Sequence, residues 1–313
     1  MTMAGDPLSP RLRTALCGIP LANPVIAASG TFGYGVEMAP VVPLHKLGGF
    51  VVKGLSREPM RGNPPPRVHE TRAGMINSVG LQNIGVRAFV RDKLPLLRGC
   101  GTRVFANVFG YAVEDYVEVI RVLEDAGGID AYELNVSCPN TKHGGIVFSS
   151  DPALLAEVVA AAVKAASRPV FVKLSPNVAR IEPLARAAED SGAAALSLVN
   201  TFLGLSIDAR TRRPHLGAGF GGVSGPAIKP LALRLVYEAA RAVRIPVIGL
   251  GGILTGEDAA EFLIAGASAV QAGTATFADP AATVRIAAEL DEFCAREGVA
   301  SVASLVGTLQ WPS

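Results

Sequence analysis

The stretch from residue 135 to residue 145 contains the residue types that most directly suggest chemistry. It reads Asn-Val-Ser-Cys-Pro-Asn-Thr-Lys-His-Gly-Gly and follows the short apolar run 131–134. A thiol between Ser137 and Pro139 is poorly placed for core packing, and Cys138 could act as a base or a nucleophile if its surroundings favour the thiolate. Taken alone, a small cysteine packed in a turn is the better interpretation, so the rest of the chain must decide.

Eight short apolar runs each end in a small, hydroxyl, amide or ammonium-bearing residue. The runs are 24–28, 50–52, 104–106, 131–134, 170–172, 194–199, 247–250 and 269–272. The residues at their carboxyl ends are Ser29, Lys53, Asn107, Asn135, Lys173, Asn200, Gly251 and Gly273. Lys53 and Lys173 are the most informative, because a lysine that closes a buried strand keeps its stem in apolar surroundings and directs its ammonium group towards a shared ligand.

Segments with helical periodicity separate most of these runs. Predicted helices span 113–126, 152–166, 181–191 and 226–243, and two more begin at Thr255 and Asp279. Alternating strands and helices predict parallel βαβ units, and about eight such units close into a (β/α)8 TIM barrel, an α/β fold with its active site at the carboxyl ends of the strands. A doubly wound open sheet is the alternative, but no Gly-x-Gly-x-x-Gly follows the first run.

Two connections are longer than simple turns. Residues 55–101 follow the second predicted strand and residues 202–225 follow the sixth, and such long insertions usually form lids or binding loops. The glycine-rich run 217–222 is predicted to be a flexible loop. The chain has no repeat or linker, so we predict a single domain over residues 1–313. Four arginines of the first insertion are predicted to form a solvated surface: Arg57, Arg61, Arg67 and Arg72.

Glycines after the seventh and eighth predicted strands suggest an anion site. Gly251-Gly252 and Gly273-Thr274 would let backbone N–H groups approach a phosphate closely, and Gly225 could contribute from the preceding loop. Lys173 could then neutralise negative charge on a ring system. The sequence therefore predicts a phosphorylated ligand or cofactor in the barrel mouth.

Three asparagines indicate what else could bind there. Asn77, Asn135 and Asn200 offer both donors and acceptors, which suits a planar ring with alternating N–H and C=O edges, such as a pyrimidine-dione. Lys53 would suit a carboxylate on that ring. Above such a site, Cys138 becomes the residue able to act as a base, and no Ser/His/Asp arrangement competes with it.

The bulk composition excludes several classes of function. The 313 residues are 50% hydrophobic and 18% charged with a net charge of +2, which indicates a folded protein and gives no electrostatic case for nucleic acid. The four cysteines and four histidines lack metal-ligand spacing, so we predict no metal site and no disulfide framework. The sequence shows no signal-peptide pattern and no run near the roughly 18 apolar residues of a membrane span. We therefore predict a cytoplasmic protein.

Three separated motifs resemble the class 1 dihydroorotate dehydrogenases. They are Asn-Ser-Val-Gly-Leu-Gln-Asn at 77–83, Asn-Val-Ser-Cys-Pro-Asn at 135–140 and Gly-Val-Ser-Gly-Pro-Ala-Ile-Lys-Pro at 222–230. The resemblance extends over residues 16–278, nearly the whole chain. It implies an FMN-containing (β/α)8 barrel that oxidises (S)-dihydroorotate to orotate in de novo pyrimidine (UMP) biosynthesis. The class 2 membrane enzymes, which use Ser as the base and have an amino-terminal membrane-associated extension, fit less well.

The resemblance also implies roles for individual residues. Cys138 would remove the C5 proton while a hydride from C6 goes to N5 of FMN, and the loop 137–145 would be a mobile cover that excludes water. Substrate would be held by Lys53, Asn77, Ser78, Val79, Gly80, Leu81, Asn135, Asn200 and Thr201. FMN, one per chain, would be held by Ser29, Lys53, Gly54, Asn107, Asn135, Lys173, Val199, Gly225, Gly251, Gly252, Gly273 and Thr274.

Within class 1, the segments 29–35 and 221–230 look most like the NAD-linked subtype 1B. In that subtype a homodimer of catalytic chains joins a second subunit with FAD and a [2Fe–2S] cluster to form a heterotetramer. The four scattered cysteines here would not hold such a cluster. Three alternatives remain open: a fumarate-using homodimer of subtype 1A, a related flavin barrel acting on uracil-like dihydropyrimidines, and a non-catalytic barrel subunit.

Overall fold

The computed structural model describes residues 9–137, 139–140 and 146–312. The strands are β1 (Thr14–Leu16), β2 (Ile19–Leu21), β3 (Val25–Ala27), β4 (Gly49–Leu55), β5 (Val68–Thr71), β6 (Gly74–Asn77), β7 (Val104–Val108), β8 (Ala131–Asn135), β9 (Pro139–Asn140), β10 (Ile146–Val147), β11 (Val170–Lys173), β12 (Ala195–Leu198), β13 (Phe202–Leu205), β14 (Ile207–Asp208), β15 (Arg213–Pro214), β16 (Phe220–Ser224), β17 (Val247–Leu250) and β18 (Ala269–Ala272).

The α-helices are α1 (Val86–Asp92), α2 (Leu94–Leu97), α3 (Val113–Ala126), α4 (Pro152–Ala165), α5 (Glu182–Asp190), α6 (Lys229–Ala242), α7 (Gly256–Ile264), α8 (Ala275–Ala278) and α9 (Ala282–Arg296). Short 3₁₀ helices span Pro10–Leu12, Leu44–Lys46, Phe148–Ser150, Pro226–Ile228 and Val302–Leu305. No helix in the described part of the chain is long and apolar enough to cross a membrane.

Eight parallel strands close into a barrel. The order around it is β3, β4, β7, β8, β11, β12, β17 and β18, and β18 pairs in turn with β3. These are the eight strands predicted from the apolar runs, so the prediction of a (β/α)8 TIM barrel is confirmed. Parallel strands buried on both faces are nearly continuous apolar runs, and this is why the sequence pattern was sufficient to identify them.

The inside of the barrel begins with a layer of apolar side chains near the amino ends of the strands. Leu16 and Leu21, from the β1–β2 hairpin, belong to the same buried cluster, and the Sγ of Cys17 donates a hydrogen bond to the carbonyl oxygen of Ala194 at 3.1 Å. The hairpin therefore closes this end of the barrel. We call eight residues of this cluster, one from each barrel strand, the apolar layer: Ile26, Val51, Phe105, Ala131, Phe171, Ala195, Ile248 and Ala269.

The outer helices begin at the signals that the sequence contains. Asp151 caps α4, since its carboxylate accepts hydrogen bonds from the N–H groups of Ala153 and Leu154, and Pro152 occupies the first turn. Thr255 and Asp258 form a reciprocal capping box at the start of α7. The helix predicted to begin at residue 226 starts instead as the 3₁₀ turn Pro226–Ile228 and becomes α-helical at Lys229.

The two insertions meet above the barrel as a four-stranded antiparallel sheet, in the order β13, β16, β6, β5. The prediction of a flexible loop over 217–222 is therefore wrong for its second half, because Phe220–Ser224 is a strand. Its glycines serve close packing: a Cβ at Gly221 would lie 2.4 Å from the Cδ1 of Leu216, and one at Gly222 would lie 2.0 Å from the Oγ1 of Thr201.

The prediction of a solvated arginine surface is wrong for Arg67. Its side chain is half-buried and its guanidinium donates to the carbonyl oxygens of Asn63 and Arg61 and to the Oε1 of Gln82. A planar group with five donors can join three acceptors from separate turns at once. Arg67 thus holds the first insertion together from within.

Candidate active site

A cavity of about 710 Å³ opens at the carboxyl ends of the barrel strands, beneath the sheet formed by the insertions. This volume is in the range of small-molecule and cofactor sites. The predictions of the base and of most of the mobile cover depend on Cys138 and residues 141–145. These residues lie outside the described part of the chain.

Every described residue that the sequence singled out for substrate or cofactor lines this cavity. They are Ser29, Lys53, Gly54, Asn77, Ser78, Val79, Gly80, Leu81, Asn107, Asn135, Lys173, Val199, Asn200, Thr201, Gly225, Gly251, Gly252, Gly273 and Thr274. The barrel thus brings them together around one space, while the role of each remains a prediction.

A break in the pairing of β4 determines the position of Lys53. The pairing of β4 with β7 shifts register between Val52 and Leu55, and the N–H of Lys53 bonds instead to the carbonyl oxygen of Gly33 at 2.8 Å. Such a bulge re-aims a side chain at the rim of a barrel. The next residue must be small, because a Cβ at Gly54 would lie 2.9 Å from the Oδ1 of Asn107.

The ammonium group of Lys53 lies in a setting that disfavours its charge. Burial is the main cause that lowers the pKa of Lys53 below its ordinary value, and the positive charge of Arg67 lowers it further, against an opposing effect of Glu37. The negative charge of an anionic ligand in the cavity would offset both effects. This setting therefore favours an anionic partner for Lys53.

Four polar residues at the ends of β8 and β12 form what we call the amide wall: Asn135, Ser137, Asn200 and Thr201. The Nδ2 of Asn200 donates to the Oδ1 of Asn135 at 3.3 Å and to the Oγ of Ser137 at 3.0 Å, and its Oδ1 accepts from the N–H of Thr201 at 2.9 Å. These bonds fix the amide of Asn200, so the wall presents donors and acceptors in a set order.

Another part of the cavity wall is the segment 77–82, which the first insertion holds in place. The Nδ2 of Asn63 donates to the Oγ of Ser78 at 2.7 Å, and the N–H of Asn63 bonds to the carbonyl oxygen of Val79 at 3.1 Å. Asn63 also lines the cavity, as does Gln82, the partner of Arg67. Asn63 was not predicted from the sequence because its role depends on contacts with Ser78, fifteen residues further along the chain.

We call the third group the glycine cradle: Gly225, Gly251, Gly252 and Gly273. The first three have φ values of 98°, 127° and 79°, a region that favours glycine. A Cβ at Gly251 would lie 2.5 Å from the Cβ of Ala232, and one at Gly252 would lie 2.9 Å from the carbonyl oxygen of Gly225. Glycine is therefore required at Gly225, Gly251 and Gly252, whereas a Cβ at Gly273 would lie at an ordinary contact distance of 3.4 Å from the Cβ of Ala28. The backbone of all four residues lines the cavity.

The bottom of the cavity is a polar layer, which we call the floor: Ser29, Asn107, Lys173 and Gln271. Beneath it lies Glu133, which is fully buried. The Oε1 of Glu133 accepts from the Nδ2 of Asn107 at 2.8 Å and from the Oγ of Ser29 at 3.5 Å, and it lies 3.5 Å from the Nζ of Lys173.

The second oxygen of Glu133 is equally well bonded. Its Oε2 accepts from the Nε2 of Gln271 at 2.7 Å and from the Oγ of Ser197 at 2.9 Å. Burial by itself raises the pKa of Glu133, but the charge of Lys173 and the donors from Gln271, Asn107 and Ser197 outweigh it and hold the pKa below its ordinary value. Glu133 is therefore an ionised carboxylate inside the barrel.

Sequence reasoning missed Glu133, Gln271 and Ser197. The signal that could have found them is an ionisable or amide residue in the middle of an otherwise apolar strand, as in Ala-Tyr-Glu-Leu-Asn and Ala-Val-Gln-Ala. A charge at such a position is costly unless it is paired and hydrogen-bonded, so its presence predicts partners on other strands. Among the described residues, no three His, Cys, Asp or Glu side chains form a group that could hold a metal ion.

Comparisons with known proteins agree with this geometry. The family model described as "Dihydroorotate dehydrogenase" matches residues 11–294. A protein of Solibacter usitatus with the name "Putative dihydroorotate dehydrogenase A (fumarate)" is 72% identical over 97% of this chain and 100% of its own length.

Two relatives named as the NAD type match this chain over nearly the same length. The proteins named "Dihydroorotate dehydrogenase B (NAD(+)), catalytic subunit" from Geobacter metallireducens and Geobacter sulfurreducens are each 52% identical, over 96% of this chain and 99% of their own length. The family match and both kinds of relative cover almost the whole barrel. The chain therefore belongs to the dihydroorotate dehydrogenase family of oxidoreductases, in its class 1 branch.

Proposed function

We propose that this chain oxidises (S)-dihydroorotate to orotate in its barrel-mouth cavity, with Cys138 as the base and with FMN as the resident cofactor. The observation that supports this most is the convergence of Lys53, the amide wall and the glycine cradle on one cavity of about 710 Å³. The proposal takes residues 1–313 as a single domain with one FMN per chain.

The floor and the cradle fit FMN, on which the family depends. The glycine cradle offers backbone groups to a phosphate, and Lys173 offers a cation to the negative charge that the ring would gain on reduction. The Oε1 of Gln271 is buried with no hydrogen-bond partner in the described structure, so it can accept from a ring N–H group. When bound, FMN would supply the acceptor for the hydride that leaves C6 of dihydroorotate.

The substrate would lie between the amide wall and the segment 77–82. Lys53 would bind its carboxylate, and Asn77, Asn135 and Asn200 would bind the alternating N–H and C=O groups of its ring. The insertion sheet covers this space and reduces access of water. Desolvation strengthens each of these polar contacts and favours a reaction that must not lose its hydride to solvent.

Cys138 would take the proton from C5 as a thiolate. Ser137, the residue before it, lines the cavity and its Oγ accepts from Asn200. The preceding strand β8 ends at Asn135, whose backbone carbonyl oxygen accepts from the phenol of Tyr116 at 2.8 Å. These contacts support the proposal because the chain is firmly held on the cavity wall up to the residue before the thiol.

Anaerobic bleaching tests the base. The purified protein should be yellow, and dihydroorotate should bleach it in the absence of oxygen. Cys138→Ser should slow the bleaching by roughly 10²- to 10⁴-fold near neutral pH, because a serine hydroxyl is a far weaker base than a thiolate. Cys294→Ser, which changes a fully buried cysteine in α9, is the matched control. An unchanged rate in Cys138→Ser means that another group removes the proton.

For the electron acceptor we propose NAD, reached through a partner subunit with FAD and a [2Fe–2S] cluster, on a homodimer core that forms a heterotetramer. The support is the subunit name shared by the Geobacter relatives. Fumarate is the second candidate, because the relative with 72% identity is named as the fumarate type.

A pull-down from the native host distinguishes the two acceptors. An iron–sulfur flavoprotein that copurifies, and that confers NAD reduction on the complex, supports the first. Fumarate turnover by the isolated chain, at a rate similar to that with an artificial acceptor, supports the second and excludes the need for a partner. Size measurement of the same samples gives the oligomeric state.

A further inference from the structure

Glu133 restricts how its amide partners can be oriented. An ionised carboxylate offers only acceptors, so Asn107 and Gln271 must each direct their NH₂ groups towards it. Their carbonyl oxygens must therefore be directed elsewhere, and both residues line the cavity. The unpartnered Oε1 of Gln271 is the result of this restriction. A group that never reaches the cavity thus decides which atoms the floor offers to a ligand.

The same carboxylate balances the charge of Lys173. The two charged groups lie 3.5 Å apart, with side-chain exposures of 7% for Lys173 and 0% for Glu133. Both groups are buried, so their interaction is weakly screened by solvent. Ser29 joins them further, because its Oγ accepts from Lys173 at 3.3 Å and donates to Glu133 at 3.5 Å. A ligand in the cavity therefore meets Lys173 as one half of an ion pair.

We propose that Glu133 is a positioning residue that orients the floor and lowers the reduction potential of the bound cofactor by balancing Lys173. This rests on the proposed function, since it requires FMN above the floor. Two-electron reduction of FMN with uptake of one proton adds one negative charge to the ring. A nearby cation favours that reduced form, and a buried anion beside the cation weakens the effect.

Glu133→Gln tests the proposal, because it removes the charge and keeps the shape. The ratio of the affinities for reduced and oxidised FMN should rise at least tenfold, which is about 30 mV for a two-electron couple. The potential is measured by equilibration with a reference dye, and the affinity for oxidised FMN by fluorescence titration of the apoprotein. The oxidised cofactor should also bind more weakly, since the amides of Asn107 and Gln271 are no longer held in one orientation.

A matched control makes the same change elsewhere. Glu297 is an exposed residue just after the last turn of α9, so Glu297→Gln should leave the potential and the affinity as in the wild type. A ratio in Glu133→Gln that changes less than twofold, or that falls, overturns the proposal. A merely structural role would change the stability of the apoprotein without raising the potential.

A second variant covers the case in which Glu133→Gln does not fold, as judged by circular dichroism. Gln271→Met keeps the length of the side chain and removes both the donor to Glu133 and the unpartnered acceptor. Its dissociation constant for FMN should rise at least tenfold, and a change below twofold overturns the orienting role. If the wild-type protein binds no FMN, the proposed function itself is wrong. This outcome is distinct from one in which only the role of Glu133 is wrong.

Discussion

The two ends of the barrel are built on the same eight strands but satisfy opposite requirements. At the amino ends, the apolar layer packs tightly, with the rings of Phe105 and Phe171 5.7 Å apart, and the β1–β2 hairpin closes the barrel. At the carboxyl ends, the inward positions two residues further along are Asn107 and Lys173, and both line an open cavity. The first end removes apolar surface from water, whereas the second keeps polar groups available at the expense of packing.

The difference shows how one strand can serve both purposes. In β7, Phe105 and Asn107 point to the same interior because alternate residues share a face. Burial of the phenyl ring is favourable in proportion to its area, whereas burial of the amide is tolerated only with hydrogen bonds such as that to Glu133. The boundary between stability and function therefore lies within single strands, between positions two residues apart.

The largest expected effect is on stability, at the closed end. Phe105→Ala should reduce the free energy of unfolding by about 3–5 kcal/mol, because it leaves a cavity in a fully packed layer. Phe277→Ala, the same change at a cavity-lining residue that is 60% exposed, should reduce it by less than about 0.5 kcal/mol. Urea unfolding of the apoproteins measures both. Equal losses would mean that the two ends do not differ as described.

The substitution Lys53→Met should have a smaller energetic effect, and it should weaken ligand binding rather than stability. Orotate should bind roughly 10- to 100-fold more weakly, because a charged hydrogen-bonding partner is lost. The apoprotein should be as stable as the wild type or more so, since burial already disfavours the charge of Lys53. Lys164→Met, at an exposed position of α4, is the control for both measurements. Loss of stability without loss of orotate binding would assign Lys53 to packing.

The barrel and the polar residues at its rim were predictable from the sequence because both are local patterns. Each strand is a short apolar run, and each functional residue at the rim is the first polar residue after it, as with Lys53 and Asn135. Glu133 and its partners beneath the rim were missed because their contacts join residues that are far apart in the chain. Glu133 receives its donors from Ser197 and Gln271, which lie 64 and 138 residues further along the chain.

The insertion sheet was missed for a related reason. Strand β16 contains two glycines, which are typical of loops, and its partner Asn77 lies 145 residues away in the chain. What makes Phe220–Ser224 a strand is pairing on both sides, with β13 and β6, and close packing of Leu216 and Thr201 on its glycines. Local preference is overridden when tertiary contacts provide both the hydrogen bonds and the burial.

The smallest expected effect is a change of stability with pH. It is the most specific test of the difference between the two ends of the barrel. Because the pKa of Lys53 is lowered in the folded protein, the unfolded chain binds more protons between that lowered value and 10.5. The stability of the wild-type apoprotein relative to that of Lys53→Met should therefore rise with pH across this window. The apolar layer contains no group that titrates, so Phe105→Ala should show the same pH dependence of stability as the wild type.

Orotate binding should show the reverse dependence, because its carboxylate would need the charged form of Lys53. The affinity of the wild type should fall as pH increases from neutral, beginning below the ordinary lysine value of 10.5. Lys53→Arg, whose guanidinium stays charged throughout, should remove this fall. Titrations of the holoenzyme with orotate at a series of pH values measure it. If the affinity of Lys53→Arg for orotate still falls with pH, the titrating group is another residue of the cavity. The two ends of the barrel would then differ in packing, and Lys53 would not be the source of a pH-dependent difference.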